Sequence, residues 1–230
     1  MKIKCPAGDE HSIDVSKTCP HCLREVPKPV LHALLSGRDR EHKKKEKPAY
    51  GVGTLVSECL RQSYYKITEE QVMELEKLWI FSRCTAMHNF VTHTLGDHEK
   101  EIFVKKEFPA FDVIGFIDAV HDRTIYEFKT TANIPEEPQH HHVLQAQGYF
   151  SMLSPEEQKD VVKIIIVYLS MQKIKTFEVP KRDITAYLES KAAILTNALN
   201  KKIPPAKEIS WLCKYCEFND TCFNRDKSFD

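Results

Sequence analysis

The sequence predicts an α/β (α+β) fold with a small separate module at its amino end. Three observations support this prediction. The central part of the chain reads as one long helix, three consecutive strands, a further helix and a buried strand. Of the eight cysteines, three lie within the first 22 residues and three lie between 213 and 222. A charged stretch that ends in Pro and Gly follows the first cysteine group, as is typical of a linker.

Length and composition indicate one main hydrophobic core. The chain has 230 residues, of which 42% are hydrophobic and 29% charged, which are ordinary values for a globular protein. Lys+Arg and Asp+Glu each total 33, so contact with nucleic acid must come from a local groove rather than from overall basicity. The start lacks an apolar signal region and no run is long enough to span a bilayer, so we expect a cytoplasmic protein.

The chain is predicted to have three parts. Residues 1–27 are too short to hold a core without a metal and are predicted as a zinc-ribbon-like module. Residues 28–50 form the charged linker, whose lysines contact either solvent or phosphates. Residues 51–230 form the main domain. Its cysteines are expected to bind metal rather than form disulfides, because the cytosol keeps thiols reduced.

The elements of the main domain follow from local patterns. Residues 69–95 contain good helix formers without Gly or Pro, and Thr68 supplies a cap signal. The runs IFVKKEF, DVIGFIDAV and RTIYEFK are rich in β-branched and aromatic residues and predict three consecutive strands. The later elements are predicted as a helix over 138–153, a strand over 161–169, a strand at IKTFEV and an amphipathic helix over 183–201.

A candidate reaction centre lies at the ends of the second and third strands. Asp118 ends DVIGFID, and Glu127 and Lys129 flank Phe128 in IYEFK. Residues two apart on a strand share a face, so Glu127 and Lys129 are expected to point the same way, with Phe128 directed into the core. Carboxylate oxygens hold Mg²⁺ or Mn²⁺, which activate water, and a lysine neutralises developing charge. A solvent-facing hairpin with routine charges explains the same residues.

Two neighbouring helices carry further candidates. His88 lies on an apolar stripe of the long helix and is therefore expected to face the interior, either as a ligand or as a satisfied core histidine. Gln145 and Tyr149 are four apart and share one face of the following helix, either at the site or on an ordinary surface. Cys84 is isolated on the long helix and is predicted as a small buried residue.

The order of these features resembles the RecB-like nucleases of the PD-(D/E)xK superfamily over residues 55–225. It is most similar to the CRISPR-associated exonucleases known as the fourth Cas protein, and to their AddB-like relatives. The pattern comprises a histidine on a helix (His88), G-x-x-D (Gly115 to Asp118), E-x-K (Glu127 to Lys129) and Q-x3-Y (Gln145 to Tyr149), all present in this order.

The resemblance implies a restriction-endonuclease-like core with a central mixed sheet flanked by helices. It also implies hydrolysis of phosphodiester bonds in single-stranded DNA or at duplex ends, in CRISPR adaptation (antiviral defence), recombination or repair. By resemblance, His88, Asp118 and Glu127 bind Mg²⁺ or Mn²⁺ together with the Phe128 carbonyl, Lys129 assists catalysis, and Gln145 and Tyr149 position substrate or Lys129. His142 also fits the pattern.

The same family carries an iron–sulfur cluster that is bound by one cysteine before the nuclease core and three after it. Cys213, Cys216 and Cys222 have the family spacing C-x2-C-x5-C, and Cys59 looks like the upstream ligand. Four thiolates suit a [4Fe-4S] cluster or zinc, and spacing alone does not separate the two. The resemblance favours a [4Fe-4S] cluster that clasps the two ends of the domain.

The amino-terminal C-x5-H-x7-C-x2-C pattern departs from that family. Its compact spacing predicts a tetrahedral structural zinc site formed by Cys5, His11, Cys19 and Cys22, with His21 as an alternative to His11.

The competing hypothesis is a DNA-end-binding assembly factor with little turnover, working with CRISPR adaptation or recombination proteins. The intact Asp118, Glu127 and Lys129 argue against a purely structural role. A redox or iron-sensing protein is a third class, which no sequence feature requires.

Overall fold

The structure, a computed structural model, describes residues 2–36, 47–96 and 99–224, which form two β-sheets flanked by helices. The large sheet contains β3 (Ala49–Gly51), β5 (Lys100–Glu107), β6 (Asp112–His121), β7 (Thr124–Thr130), β8 (Lys163–Leu169) and β9 (Ile174–Val179). The small sheet contains β1 (Lys2–Lys4), β2 (Glu10–Ser12) and β4 (Val72–Glu74).

The helices surround both sheets. The N-terminal helices are α1 (Ile13–Thr18), α2 (Pro20–Glu25) and α3 (Lys28–Leu35). Those of the larger part are α4 (Val52–Leu55), α5 (Leu60–Thr68), α6 (Leu75–Thr92), α7 (His140–Met152), α8 (Pro155–Asp160), α9 (Thr185–Lys201) and α10 (Asn219–Asn224), with a 3-10 helix at Trp211–Tyr215. None of the helices in the described ranges is long and apolar enough to cross a membrane.

The large sheet is mixed, as predicted. Its strand order is β3-β6-β7-β8-β9, and β5 also pairs with β6. The hairpin-connected strands β5, β6 and β7 run antiparallel, whereas β7 and β8 are parallel because α7 crosses between them. Strand β8 is buried on both faces, since Ile164, Ile166 and Tyr168 alternate with the buried Val167 and Leu169.

The long predicted helix begins later than expected. The sequence predicts a helix over 69–95, but Thr68 ends α5 and α6 starts only at Leu75. The intervening strand β4 pairs in parallel with β1, which places Met73 beside Ile3. This distant pairing overrides the local helix propensity of the segment.

The larger of two hydrophobic cores in the described part of the chain surrounds the large sheet. The smaller one joins the N-terminal residues to the start of α6. Ile3, Leu31 and Leu35 are buried in it together with Met73 and Leu78. The first part of the predicted linker is therefore helix α3, which packs in this core. Residues 37–46 of the predicted linker lie outside the described residues. The predicted division into 1–27, 28–50 and 51–230 remains a prediction.

Candidate active site and cysteine sites

The candidate reaction centre lies where β6 and β7 separate. Their ladder ends at the pair Ala119 and Tyr126. One residue further, the Asp118 carboxylate accepts a hydrogen bond from the backbone N–H of Phe128 at 2.7 Å. A side chain thus takes the place of the next ladder bond, which fixes Asp118 against the segment that carries Glu127.

Helix α7 anchors the lysine of this centre. Lys129 Nζ lies 2.6 Å from Glu127 Oε1 and donates to Gln145 Oε1 at 2.8 Å. Gln145 Nε2 in turn donates to the Tyr149 hydroxyl at 2.7 Å. Because Gln145 and Tyr149 are one helical turn apart, they lie on one face of α7. The hydrogen bonds of this face therefore link Tyr149, through Gln145, to Lys129 on β7.

Gly115 allows α7 to approach β6 this closely. A Cβ atom at Gly115 would lie 2.5 Å from Tyr149 Cε1 and 2.9 Å from Tyr149 Cδ1, both closer than real Cβ atoms come to other atoms. A larger residue would push Tyr149 and the attached Gln145 away from Lys129. The glycine of the G-x-x-D pattern therefore has a packing role.

His88 reaches the same centre from α6. Its Nδ1 lies 3.6 Å from Asp118 Oδ1, and its ring meets the Phe128 ring edge-on with centroids 5.9 Å apart. The expectation that Phe128 points into the core is wrong: Phe128 is half-buried between His88 and Tyr126, and Glu127 is the buried residue. The reason is that α7, whose Gln145 binds Lys129, covers the face of β7 that carries the charges.

The electrostatics of the centre favour a bound cation. Glu127 is only 2% exposed, and burial raises its pKa to about 8 although Lys129 opposes the shift. Burial likewise raises the pKa of Asp118, against the effects of His88 and the Phe128 N–H. Glu127 Oε2 is buried without a hydrogen-bond partner. A buried carboxylate oxygen without a partner is costly, and a divalent cation would supply the missing contact, so the residues fit a metal site.

His142 occupies a neighbouring position. Its Nδ1 shares a hydrogen bond of 2.7 Å with the hydroxyl of Tyr168, and burial, with Lys129 and His141, lowers the pKa of His142 to about 3. The imidazole is therefore neutral at physiological pH. Sequence reasoning missed Tyr168, which pairs with Lys129 in the β7–β8 register. The apolar run of β8 carried no signal for it.

The N-terminal cysteine site is compact. The sulfur atoms of Cys5, Cys19 and Cys22 all lie within 4.8 Å of one another and are buried, so they could hold a metal ion. His11 Nε2 lies 3.6 Å from the Cys19 sulfur, whereas His21 is exposed. A hydrogen bond from the Cys22 backbone lowers the pKa of Cys19 to about 7, and burial raises that of Cys22 to about 12.

The other predicted cysteine set lines a single cavity. Its members are Cys59, Cys213, Cys216 and Cys222, which share this cavity with Tyr65 and Phe218. Within the described residues, only the N-terminal cysteines form a group whose ligand atoms all lie within 4.8 Å. The sulfur atoms of this second set therefore line one cavity but are spaced more widely than those of the N-terminal set. Cys84 is half-buried on α6.

Together, the mixed sheet, in which β6 and β7 separate, and the buried carboxylate centre are typical of a metal-dependent nuclease. Residues 29–223 match the PD-(D/E)XK nuclease superfamily, and the chain belongs to that superfamily. No curated protein matches the chain.

Solved structures are similar to the chain as well, among them the following two. The crystal structure of SSO0001 is 21% identical, with a TM-score of 0.65 over 86% of this chain and 95% of that chain, and it shares the fold. A "putative exonuclease" from Eubacterium rectale is 13% identical over 88% of this chain and 86% of that chain, with a TM-score of 0.34, too low to indicate more.

Proposed function

We propose that the chain is a Mg²⁺- or Mn²⁺-dependent deoxyribonuclease of the RecB-like, CRISPR-associated type. It acts as an exonuclease that hydrolyses phosphodiester bonds in single-stranded DNA or at duplex ends, in CRISPR adaptation, recombination or repair. The observation that carries this proposal is the buried Glu127 oxygen without a partner, in a centre that also holds Asp118 and Lys129. A cytosolic setting, expected from the cysteine usage, belongs to the same proposal.

The metal would be held by Asp118, Glu127 and His88. When bound, it supplies Lewis acidity and lowers the pKa of a coordinated water. The protein residues have complementary tasks. His88 and the Phe128 N–H each contact one oxygen of Asp118 and so orient this carboxylate. Glu127 is fixed by burial and by Lys129.

Lys129 is the residue suited to stabilise charge on the scissile phosphate. Its ammonium group is held between Glu127 and Gln145, which restricts the long side chain to one position. A preorganised cation in a site sheltered from water stabilises developing negative charge more strongly than a mobile one. Gln145 and Tyr149 act through Lys129 and are positioning residues.

The test is a cleavage assay on end-labelled single- and double-stranded DNA with Mn²⁺, Mg²⁺ or EDTA. Asp118→Asn should abolish metal-dependent cleavage. The matched control is Asp122→Asn, because the Asp122 side chain is 88% exposed in the β6–β7 turn and Asn tolerates its positive φ of 46°. Full activity of the Asp118 variant, or equal activity in EDTA, would show that the assigned centre is not the reaction centre.

We further propose a [4Fe-4S] cluster at Cys59, Cys213, Cys216 and Cys222, and structural zinc at Cys5, His11, Cys19 and Cys22. The shared cavity supports the first assignment, because a cluster of several atoms separates its thiolates more widely than one ion does. The close sulfur contacts support the second, since zinc binds four ligands tetrahedrally at about 2.0–2.3 Å.

A second candidate function is a DNA-end-binding assembly factor with little turnover. The specific observation in its favour is that the superfamily match starts at residue 29, so the N-terminal cysteine site is an addition suited to recruitment. Partners in a CRISPR adaptation or recombination complex fit this alternative. Tight binding to DNA ends without cleavage in Mn²⁺ would favour it over the nuclease.

A further inference from the structure

An exposed aromatic pair lies on the face of the large sheet that carries Asp118, opposite the face that α7 covers. Phe103 on β5 and Phe116 on β6 are each 54% exposed, and their ring centroids are 5.3 Å apart. Strand β6 pairs with β5 at Phe116, whereas on its other side β3 pairs only as far as Ile114 and β7 only from Ala119, so Phe116 lies at the gap between these two strands. Aromatic rings normally gain free energy from burial, and two adjacent exposed rings leave a substantial apolar surface in water.

The pair adjoins the reaction centre. Phe103 and Phe116 are register partners, and Asp118 follows Phe116 by two residues on the same strand. Residues two apart on a strand share a face and are separated by about 6.8 Å. This distance is roughly the step between successive nucleotides of an unstacked strand. A single strand that runs along β6 from a scissile phosphate at Asp118 would therefore bring its next nucleotide over Phe116.

The chemistry of this surface favours bases over phosphates. The next residue on the same face of β5 is Lys105, whose ammonium group already contacts Asp112 at 2.9 Å and also contacts Glu107. Those carboxylates raise the pKa of Lys105, which stays positively charged, and they offset that charge. The two phenyl rings remain, and every base has a π-face that stacks on an aromatic side chain, independent of sequence.

We infer that Phe103 and Phe116 form a stacking platform for the base next to the scissile phosphate, and that this platform makes the enzyme prefer unpaired strands. Duplex bases are already stacked and paired, so they gain nothing from the platform unless the end is opened. This inference rests on the proposed nuclease function and adds to it the residues that select the substrate.

The first measurement is binding of fluorescein-labelled oligonucleotides to the full chain with Mn²⁺, in a Lys129→Ala background that prevents cleavage. Base–aromatic stacking of about 1–3 kcal/mol corresponds to an affinity change of about 5- to 150-fold. Phe103→Ala with Phe116→Ala should weaken single-strand binding by that factor and leave blunt-duplex binding unchanged. Phe116→Trp, which keeps an aromatic face, should retain single-strand binding.

The matched control is Phe90→Ala. Phe90 is 68% exposed and lies on α6 rather than on a strand of the large sheet. Its removal should leave single-strand affinity unchanged. The affinity ratio between the platform variant and its parent should also be the same at low and moderate salt, because stacking releases no counterions, unlike a phosphate contact.

An abasic scan tests the platform without any change to its protein surface. Single strands that lack one base at a time, counted from either end, should bind the parent protein weakly at one or two adjacent positions. The platform variant should lose no further affinity at those positions, because ring and base act as one pair. A merely structural role of the two rings would produce no dependence on base position.

Equal single-strand affinity of parent and platform variant, or a loss that is the same at every abasic position, would overturn the inference. Unchanged DNA binding with an altered mass in light scattering would instead assign the rings to a protein contact. These outcomes differ from failure of the proposed function, which is the absence of cleavage by the wild-type chain in Mn²⁺ whatever the two rings do.

Discussion

The candidate reaction centre and the N-terminal cysteine site both gather side chains that could bind a metal, but the chain assembles them in different ways. The reaction centre draws residues from α6, β6 and β7, and α7 braces them. The cysteine site is built within one stretch from Cys5 to Cys22, on a short hairpin and two short helices. The first therefore requires the large sheet to be folded already, whereas the second requires its own short stretch and the cover of Met73, Leu75 and Leu78.

The polar atoms of the two sites also differ. Glu127 Oε2 is buried without a partner. The sulfur atoms of Cys5 and Cys19 are 3.6 Å apart and contact each other. A core can tolerate the unpartnered oxygen because large hydrophobic clusters stabilise the fold independently, as in the cluster around β8. In a small unit, by contrast, metal-binding energy is folding energy. The comparison thus fits the proposal that the first site performs chemistry and the second holds structure.

The largest expected effect is that one substitution in each site changes a different property, cleavage in the first site and bound metal in the second. Glu127→Gln should reduce cleavage by more than about 100-fold, since even outer-shell partners of metal ligands contribute about 10–100-fold, while the fold persists. Cys22→Ala should leave cleavage of short single strands intact, lose one bound metal ion and destabilise the N-terminal residues. Cleavage kinetics, elemental analysis and hydrogen exchange measure these outcomes.

The contrast between the two sites fails if Glu127→Gln and Cys22→Ala both reduce cleavage. Equal loss of activity in Cys22→Ala would mean that the cysteine site supports the reaction centre directly. Glu107→Gln is the matched control for Glu127→Gln, because Glu107 is exposed on the neighbouring strand β5.

The second prediction extends the comparison to the cavity of Cys59, Cys213, Cys216 and Cys222. Protein purified without oxygen should be brown, and Cys213→Ala should lose the visible absorption and much of its solubility. Cys84→Ala, outside both cysteine sets, should keep the colour. Iron and zinc analysis decides the metal, and zinc without iron in this cavity would contradict the cluster while preserving the clasp.

A smaller effect is expected from removal of residues 1–45. Sequence reasoning predicts an independent module, so the remaining nuclease should stay folded, keep its cluster and cleave short single strands. The shared core adds a cost, because Met73, Leu75 and Leu78 lose their cover. In a domain of this size each kcal/mol lowers the melting temperature by about 2–4 °C. Calorimetry should therefore show a decrease of several degrees, and an unchanged melting temperature would refute the shared core.

Local pattern predicted most elements of the large sheet. Alternation in DVIGFIDAV and the β-branched run of β8 identify strands because side-chain periodicity is a local property. The prediction that the long helix starts at residue 69 was wrong because the segment before Leu75 is shaped by a distant contact. Pairing of β4 with β1 joins residues about 70 positions apart, and nothing near Met73 indicates it.

The same division applies to the candidate site. The proximity of Glu127 to Lys129 follows from the two-residue repeat of a strand, and that of Gln145 to Tyr149 follows from the helical turn. Tyr168 could not be found in this way, because its place beside Lys129 depends on the register between two strands.

The smallest expected effect is a difference in how the two sites release protons on binding metal. Glu127 has a pKa of about 8 in the metal-free protein, so below that pH a cation must displace its proton. Affinity for Mn²⁺ should therefore rise with pH and level off above about pH 8. Cys22, with a pKa of about 12, stays protonated between about pH 6.5 and about pH 9, so zinc should displace a proton from it over this pH range.

Calorimetry in buffers of different ionisation enthalpy, from about pH 6.5 to about pH 9, measures the proton release at both sites. Release on Mn²⁺ binding should decline across this range and release on zinc binding should persist. The same decline for both metals would show that the two sites share one protonation behaviour, contrary to the burial of Cys22.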